Sequence, residues 1–411
     1  MEITALSPKR ESLASLTLRA LRYRNYRLYA AGQSLSLIGT WMQHTAMGWL
    51  VYRLTGSALL LGVVGFSGQI FSFLLAPYAG VLADRFDRRR ILLWTQTLAA
   101  LQAAILTCLV LAGRAEVWHI ITLSAFLGIV TALDIPSRHS FVADLVDDRA
   151  DLVNAVALNS AIFHGARLVG PAVAGLLIKT AGEGICFLIN AASFLAVIVA
   201  LAAIRPNYCL LHTARRPLLE EFMESLVYVR DHLQISPVIL QMALVGFLGM
   251  SPTLLMPVFA RDYLQGGPDT LGALLASAGT GAFAATIFLA SRTTASQLRK
   301  TIRGAVILFS TSTLAFALTH TLWISLACLF LSGFGAVSQI AAGNAAIQLY
   351  VDEDKRGRVM GLVNMAFLGM APFGSLITGF LALEIDARGT VLVETFILAI
   401  CSLFLMKRLS A

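Results

Sequence analysis

The amino-acid sequence predicts an all-α membrane protein: twelve transmembrane helices in two six-helix pseudo-symmetric halves, with the N- and C-termini cytoplasmic. Three observations carry that prediction. The composition is too apolar for water, the apolar stretches come in bilayer-length units, and Lys and Arg gather at alternate ends of those units.

Of 411 residues, 57% are hydrophobic and 13% charged, where a soluble domain carries roughly 25% charged residues. Lipid must supply the solvent. The net charge is +8, but the bases lie in short runs between apolar stretches, which argues against a nucleic-acid partner. The cysteines are scattered and form no CxxC, so neither a disulfide framework nor a metal site is expected. The first 27 residues are polar and basic, and the apolar run after Arg27 is long enough to stay in the membrane. A cleaved signal peptide is therefore not expected.

A crossing helix needs about 20 mainly apolar residues. Spans are expected near 28–52, 57–82, 91–112, 117–141, 153–178 and 184–204, and again near 237–260, 269–291, 302–320, 322–347, 357–383 and 390–407. With the N-terminus inside, the inner segments hold 24 Lys and Arg, and the outer ends hold only Arg53, Arg114, Lys179, Arg261 and Arg388. That bias places both termini in the cytoplasm.

The chain then divides into a cytoplasmic segment (1–27), an N-terminal half (28–204), a linker (205–236) and a C-terminal half (237–411). In the linker, Leu219, Phe222, Leu226 and Val229 recur at helical spacing, which predicts an amphipathic helix on the cytoplasmic membrane face. The halves repeat each other. Phe126-Leu127, Gly170 and Gly175 recur as Phe330-Leu331, Gly374 and Gly379, each 204 positions later. Two such halves place a solute path at their interface.

The loop after span two reads Gly80-Val81-Leu82-Ala83-Asp84-Arg85-Phe86-Asp87-Arg88-Arg89-Arg90. It resembles the loop 2–3 signature of the major facilitator superfamily. The resemblance implies that Asp84 meets the N-terminus of the eleventh helix and latches the halves when the cytoplasmic side is closed. The alternative is that Arg85, Arg88, Arg89 and Arg90 anchor the loop to acidic headgroups. The matching loop of the second half, 291–296, lacks the Asp-Arg pair, so the latch is expected on one side only.

Span five carries Gly165, Gly170-Pro171 and Gly175, which resembles an abbreviated form of the antiporter signature of that superfamily. A small-residue strip in span eight, Gly272, Ala276, Gly279 and Ala282, is placed to face it. Plain helix packing is the other reading. Gly39-Thr40-Trp41-Met42-Gln43, Leu54-Thr55-Gly56-Ser57 and Asp134-Ile135-Pro136-Ser137-Arg138 are similar to the branch of enterobactin-type siderophore exporters and macrolide efflux proteins. The resemblance covers nearly the whole chain. Thr40 stands where several members carry Asp, and span four lacks the mid-helix arginine pattern of many proton antiporters.

Charges inside a bilayer are costly and face a cavity or a partner. Asp134 and Arg138, four apart, suit an internal ion pair. Asp134 either stays in that pair or exchanges a proton and meets Arg167. Arg167, with His164 on the same face of span five, needs an anion from Asp134 or from a substrate. Gln33, Trp41 and His44 share a face of span one that suits an amphipathic ligand, and His44 is a second proton-coupling candidate. Asn159, Gln339 and Asn344 are further cavity candidates. Glu394 is expected at the outer interface.

No catalytic or nucleotide-binding motif is present, so neither an enzyme nor an ATP-driven pump is expected. What the resemblance implies is a monomeric secondary exporter of a bacterial inner membrane. It would move a siderophore, drug or secreted metabolite by alternating access, in contact with membrane lipids, with the proton motive force in place of any cofactor. The alternatives are a facilitator or flippase for an anionic metabolite or lysolipid, and a non-transporting receptor or scaffold.

Overall fold

The computed structural model describes residues 19–146, 148–204, 218–289, 292, 294–353 and 355–408. The long helices are α1 (Arg24–Thr55), α2 (Ala58–Arg85), α3 (Arg88–Leu111), α4 (Val117–Asp144), α5 (Arg149–Ala181) and α6 (Glu183–Ala203). After a linker helix (Leu218–Asp231) come α7 (Ser236–Tyr263), α8 (Pro268–Leu289), α9 (Ala295–Leu318), α10 (Leu322–Tyr350), α11 (Arg356–Glu384) and α12 (Asp386–Arg408). Among the described residues, eleven helices are long and apolar enough to cross a membrane. α1 is long enough but too polar by that measure, since it carries Gln33, Thr40, Gln43 and His44. It lies packed against α5 and α6, so neighbouring helices rather than lipid surround much of its polar surface.

Helix starts follow from capping. Asp87 begins α3 by accepting from the Arg89 and Arg90 amides. Thr294 and Gln297 form a capping box that begins α9. This box starts α9 at Ala295, seven residues before the apolar run, and so places Arg299, Lys300 and Arg303 on the helix rather than in a loop. α7 is interrupted after Leu248, where Pro252 and Pro257 cannot donate backbone hydrogen bonds.

One partner pattern occurs twice. α1 packs on α5 and α6, α2 on α4, and α3 on α4 and α6; likewise α7 packs on α11 and α12, α8 on α10, and α9 on α10 and α12. The two sets meet along α5–α8 and α2–α11. The repeated glycines explain both meetings. A Cβ on Gly175 would lie 2.7 Å from the Pro268 carbonyl oxygen and 2.9 Å from Gly272 Cα, and one on Gly379 would lie 2.9 Å from Gly62 Cα. Only hydrogen fits at such crossings. The strip on α8 does face α5, as expected.

The two ends of the bundle differ. At the end away from the 85–90 and 292–303 base clusters, one buried apolar cluster takes residues from both sets, among them Trp49, Leu61, Ile178, Met256, Phe259, Leu271 and Phe316. Lys179 Nζ donates to Asp269 at 2.8 Å, and the Tyr52 hydroxyl donates to Asp262, both across the divide. At the basic end the buried clusters stay on one side. Tyr26, Tyr29, Phe141 and Leu201 form one; Tyr228, Val238, Ile347 and Val359 form another. Among the described residues, then, a buried cluster joins the two sets at the far end, and those at the basic end each stay within one set.

The linker helix packs on the C-terminal set, against α11 and α7. Ser225, Tyr228 and Val229 are its buried residues among those described, while Leu226 is 40% exposed. Leu219 and Phe222 lie in the helix, and their side chains are outside those described. The Tyr228 hydroxyl donates to Asp352 at 3.1 Å, and Arg358 donates to Glu224 at 2.9 Å. Of the expected apolar face, Val229 is buried and Leu226 exposed.

A bulky residue at the α2–α11 crossing should be poorly tolerated. Gly62→Val would drive its side chain into the Ser375 carbonyl oxygen, 2.6 Å from the ideal Cβ position, at a cost of about 1–3 kcal/mol. Gly165→Ala meets nothing within 4 Å and should melt like the parent. Thermal melting of the detergent-purified variants checks the pair.

Candidate functional site

The site builds from α1 and α5. Gly170 faces α1, where a Cβ would come within 2.5 Å of Trp41 Cβ and 2.9 Å of the Ile38 carbonyl oxygen. This close approach places the Trp41 ring beside α5. Phe163 meets it edge-on, with centroids 5.9 Å apart, and His44 lies 6.0 Å away on the same helix. The Arg167 guanidinium sits 5.5 Å from the Trp41 ring centroid, a cation–π distance. The Arg167 carbonyl lies against Gly279 of α8, so this group stands where the two sets of helices cross.

Arg167 has no carboxylate partner among the described residues. Neighbouring His164 also has spare capacity, because its Nδ1 is buried without a hydrogen-bond partner. A mid-membrane guanidinium with one aromatic face and free N–H groups suits a carboxylate or phosphate.

Asp134 does not serve Arg167. It is 3% exposed and accepts from Thr95 Oγ1 and Gln96 Nε2 of α3, both at 2.8 Å, while Arg138 closes its other oxygen. The structural pair is the arrangement found, and three donors hold the carboxylate in it. Thr95 and Gln96 were not legible as its partners, because they come from another helix.

The other sequence candidates divide. Trp41, His44, His164 and Arg167 come together. Gln33 is closed off at 2% exposure, and Asn159 is half-buried on α5. Gln339 joins a separate polar group on the C-terminal side, where Gln241 donates to its Oε1 at 3.2 Å. Gln339 Nε2 and Asn344 Oδ1 have no partner there. A buried chain that sequence reasoning missed links three helices: Asn190 donates to Gln43 at 2.8 Å, and Gln43 donates to Gln102 at 2.9 Å.

The span-five motif serves packing on two sides. Gly170 meets α1, Pro171 and Gly175 meet α8, and Gly165 faces open space. In the loop 2–3 motif, Gly80 and Asp84 fall in the last turns of α2, and their side-chain surroundings are outside those described. Arg85 is exposed. Arg88 pairs with Asp144 at 2.9 Å, and Arg89 donates to the Leu201 and Ala202 carbonyls at 2.6 and 2.8 Å. Arg88 and Arg89 thus tie the turn to the ends of α4 and α6, with Arg89 capping the α6 dipole. Glu394 is not interfacial: it is 1% exposed inside the bundle.

A family model described as transmembrane secretion effector matches residues 15–410. The staphyloferrin A transporter of Staphylococcus aureus is 27% identical over 384 residues, covering 90% of this chain and 91% of that one. The multidrug efflux pump Tap of Mycolicibacterium fortuitum is 25% identical over 84% of this chain and 85% of its own length. Macrolide efflux protein A of Streptococcus pyogenes is 24% identical over 60% and 62%. Among solved structures, a bacterial homologue of the lysosomal transporter Spinster, inward-facing and unoccupied, superposes with a TM-score of 0.75 at 13% identity over 94% of this chain and 97% of that one. A bacterial homologue of the iron transporter ferroportin, inward-facing, gives 0.68 at 18% over 96% and 100%.

Because Asp134 neutralises a buried arginine, Asp134→Asn should cost stability first, about 3–5 kcal/mol for a broken buried pair. Thr95→Ala should cost roughly 1 kcal/mol. Melting curves of both variants decide it. A wild-type melt for Asp134→Asn, together with altered uncoupler sensitivity of transport, would instead make Asp134 an exchanging acid.

Proposed function

The chain belongs to the transmembrane secretion effector family of the major facilitator superfamily, and from that premise we propose that it exports a small amphipathic anion, of the kind a carboxylate siderophore exemplifies, by alternating access of its two halves. The observation that carries this reading is Arg167, a cation in the bundle with an aromatic platform and no acid of its own. The named relatives supply the class of cargo, a siderophore in one case and drugs in the others.

The reading takes α1 as a twelfth crossing helix, 28–204 and 237–411 as the moving units, and the basic end as cytoplasmic with both termini on that side. The conformation is then inward-facing: Trp41, His44, His164 and Arg167 await cargo from the cytoplasm while the far-end cluster stays shut. The bacterial relatives support a place in a bacterial cytoplasmic membrane, as a monomer in contact with lipid. Export against a gradient needs a driving ion, and the proton motive force is the one we assign. Of the sequence candidates, His44 keeps open surface beside Trp41, whereas Asp134 is held by three partners. Asp84 and the α11 N-terminus would form the cytoplasmic latch of the opposite conformation.

Everted membrane vesicles loaded from a panel of carboxylate siderophores, macrolides and lysolipids test the proposal. We expect uncoupler-sensitive accumulation of an anionic member, reduced about 10- to 100-fold by Arg167→Gln, the loss of roughly 1.5–3 kcal/mol of charged hydrogen bonding. Gradient-independent movement of a lysolipid, abolished by the same substitution, would make the chain a facilitator or flippase instead.

A further inference from the structure

We propose that Glu394 is a proton-binding site of the transport cycle. Its carboxyl lies on α12, 1% exposed, in a wedge formed with α11 and the interrupted part of α7. Both carboxyl oxygens lie within reach of one hydroxyl, Thr378 Oγ1, at 2.9 and 3.0 Å. Ser251, at the break in α7, also faces the carboxyl. Among the described residues no cation pairs with it. The stretches that surround it, 245–255 of α7, 305–317 of α9 and 371–382 of α11, contain no ionisable residue. Arg388, the nearest base on α12, is engaged by His320 at 3.1 Å and by the Tyr263 ring.

An ionised carboxylate here would lack both water and a counter-charge, the costliest state for a buried acid. With the Ser251 hydroxyl donating to the Leu248 carbonyl at 3.3 Å, the one Thr378 proton cannot satisfy two charged oxygens. The neutral acid fits: it carries its own donor, and the Thr378 and Ser251 oxygens can accept from it. In the observed conformation the carboxyl therefore holds its proton.

Its position links it to the moving parts. Thr378 lies on α11 beside Ser375 and Gly379, which press on Gly65 and Gly62 of α2. Opening the far end requires α2 to leave α11, which admits water to the wedge from that side. The O–H proton then exchanges with that water, and it is trapped again when α2 returns. Glu394 can thus carry one proton inward per cycle, behind the far-end gate and away from Arg167, so that proton and cargo do not compete for one site. The coupling rests on the export reading; the proton site does not.

Infrared difference spectroscopy of the purified full-length chain in H2O and D2O tests the site without transport. We expect a protonated-carboxyl C=O band at neutral pH, where an exposed glutamate is ionised. The band should shift in D2O, disappear in Glu394→Gln and return displaced in Glu394→Asp. A band unchanged in Glu394→Gln overturns the proposal. Should Glu394→Gln fail to fold, Thr378→Val is expected to move the pH at which the band vanishes, and an unmoved pH is equally contrary. In proteoliposomes Glu394→Gln should retain gradient-free cargo exchange but lose uncoupler-sensitive accumulation to background, and accumulation with parental uncoupler sensitivity overturns the coupling role. If the parent moves no compound on the panel, the export reading alone fails, and the infrared band still decides Glu394.

Discussion

An unpaired charge in a bilayer core costs several kcal/mol, and the arrangement of this chain follows from how each charge meets that cost. Asp134 and Arg138 neutralise each other and draw Thr95 and Gln96 across from α3. Arg88 and Arg89 turn onto the ends of α4 and α6. Lys179, Asp269, Tyr52 and Asp262 gather at the far rim and close it. Among the described residues, Arg167 and Glu394 stay outside this pattern. Arg167 has an aromatic ring but no acid, and Glu394 has a hydroxyl but no base. Each is explained by something that comes and goes.

Small residues make this arrangement possible. The repeated glycines let α5 approach α8 and α2 approach α11 closely, in two seams that join the halves beside the shared far-end cluster. A seam of small residues can serve as a pivot, because few side chains must repack when the halves tilt. The same glycines position the chemistry: Gly170 brings Trp41 to α5, and Gly279 brings α8 to the Arg167 backbone.

Much of this was legible in the sequence. Eleven of the expected spans stand as apolar helices, the 204-residue repeat anticipated both seams, and the i,i+4 spacing gave the Asp134–Arg138 pair. What was not legible depends on helix rotation and depth. Gln43, Gln102 and Asn190 lie in three distant segments, and no local pattern shows that they share a face. Glu394 falls near the start of an apolar run and so reads as interfacial, yet α12 begins at Asp386 and carries it inside. In the linker helix the Tyr228 hydroxyl meets Asp352 and Glu224 meets Arg358, partners from distant segments that its own periodicity does not show. The onset of α9 was misplaced because a capping box, not hydropathy, sets it.

The central claim is that Arg167 is left without an acid so that a cargo anion can meet it. The most direct measurement is equilibrium binding to the purified chain of a matched pair, a carboxylate compound and its neutral methyl ester. The account predicts that the parent prefers the carboxylate about tenfold or more, and that Arg167→Gln binds the two alike. Equal binding of both compounds by the parent, or a preference that survives in Arg167→Gln, would contradict it.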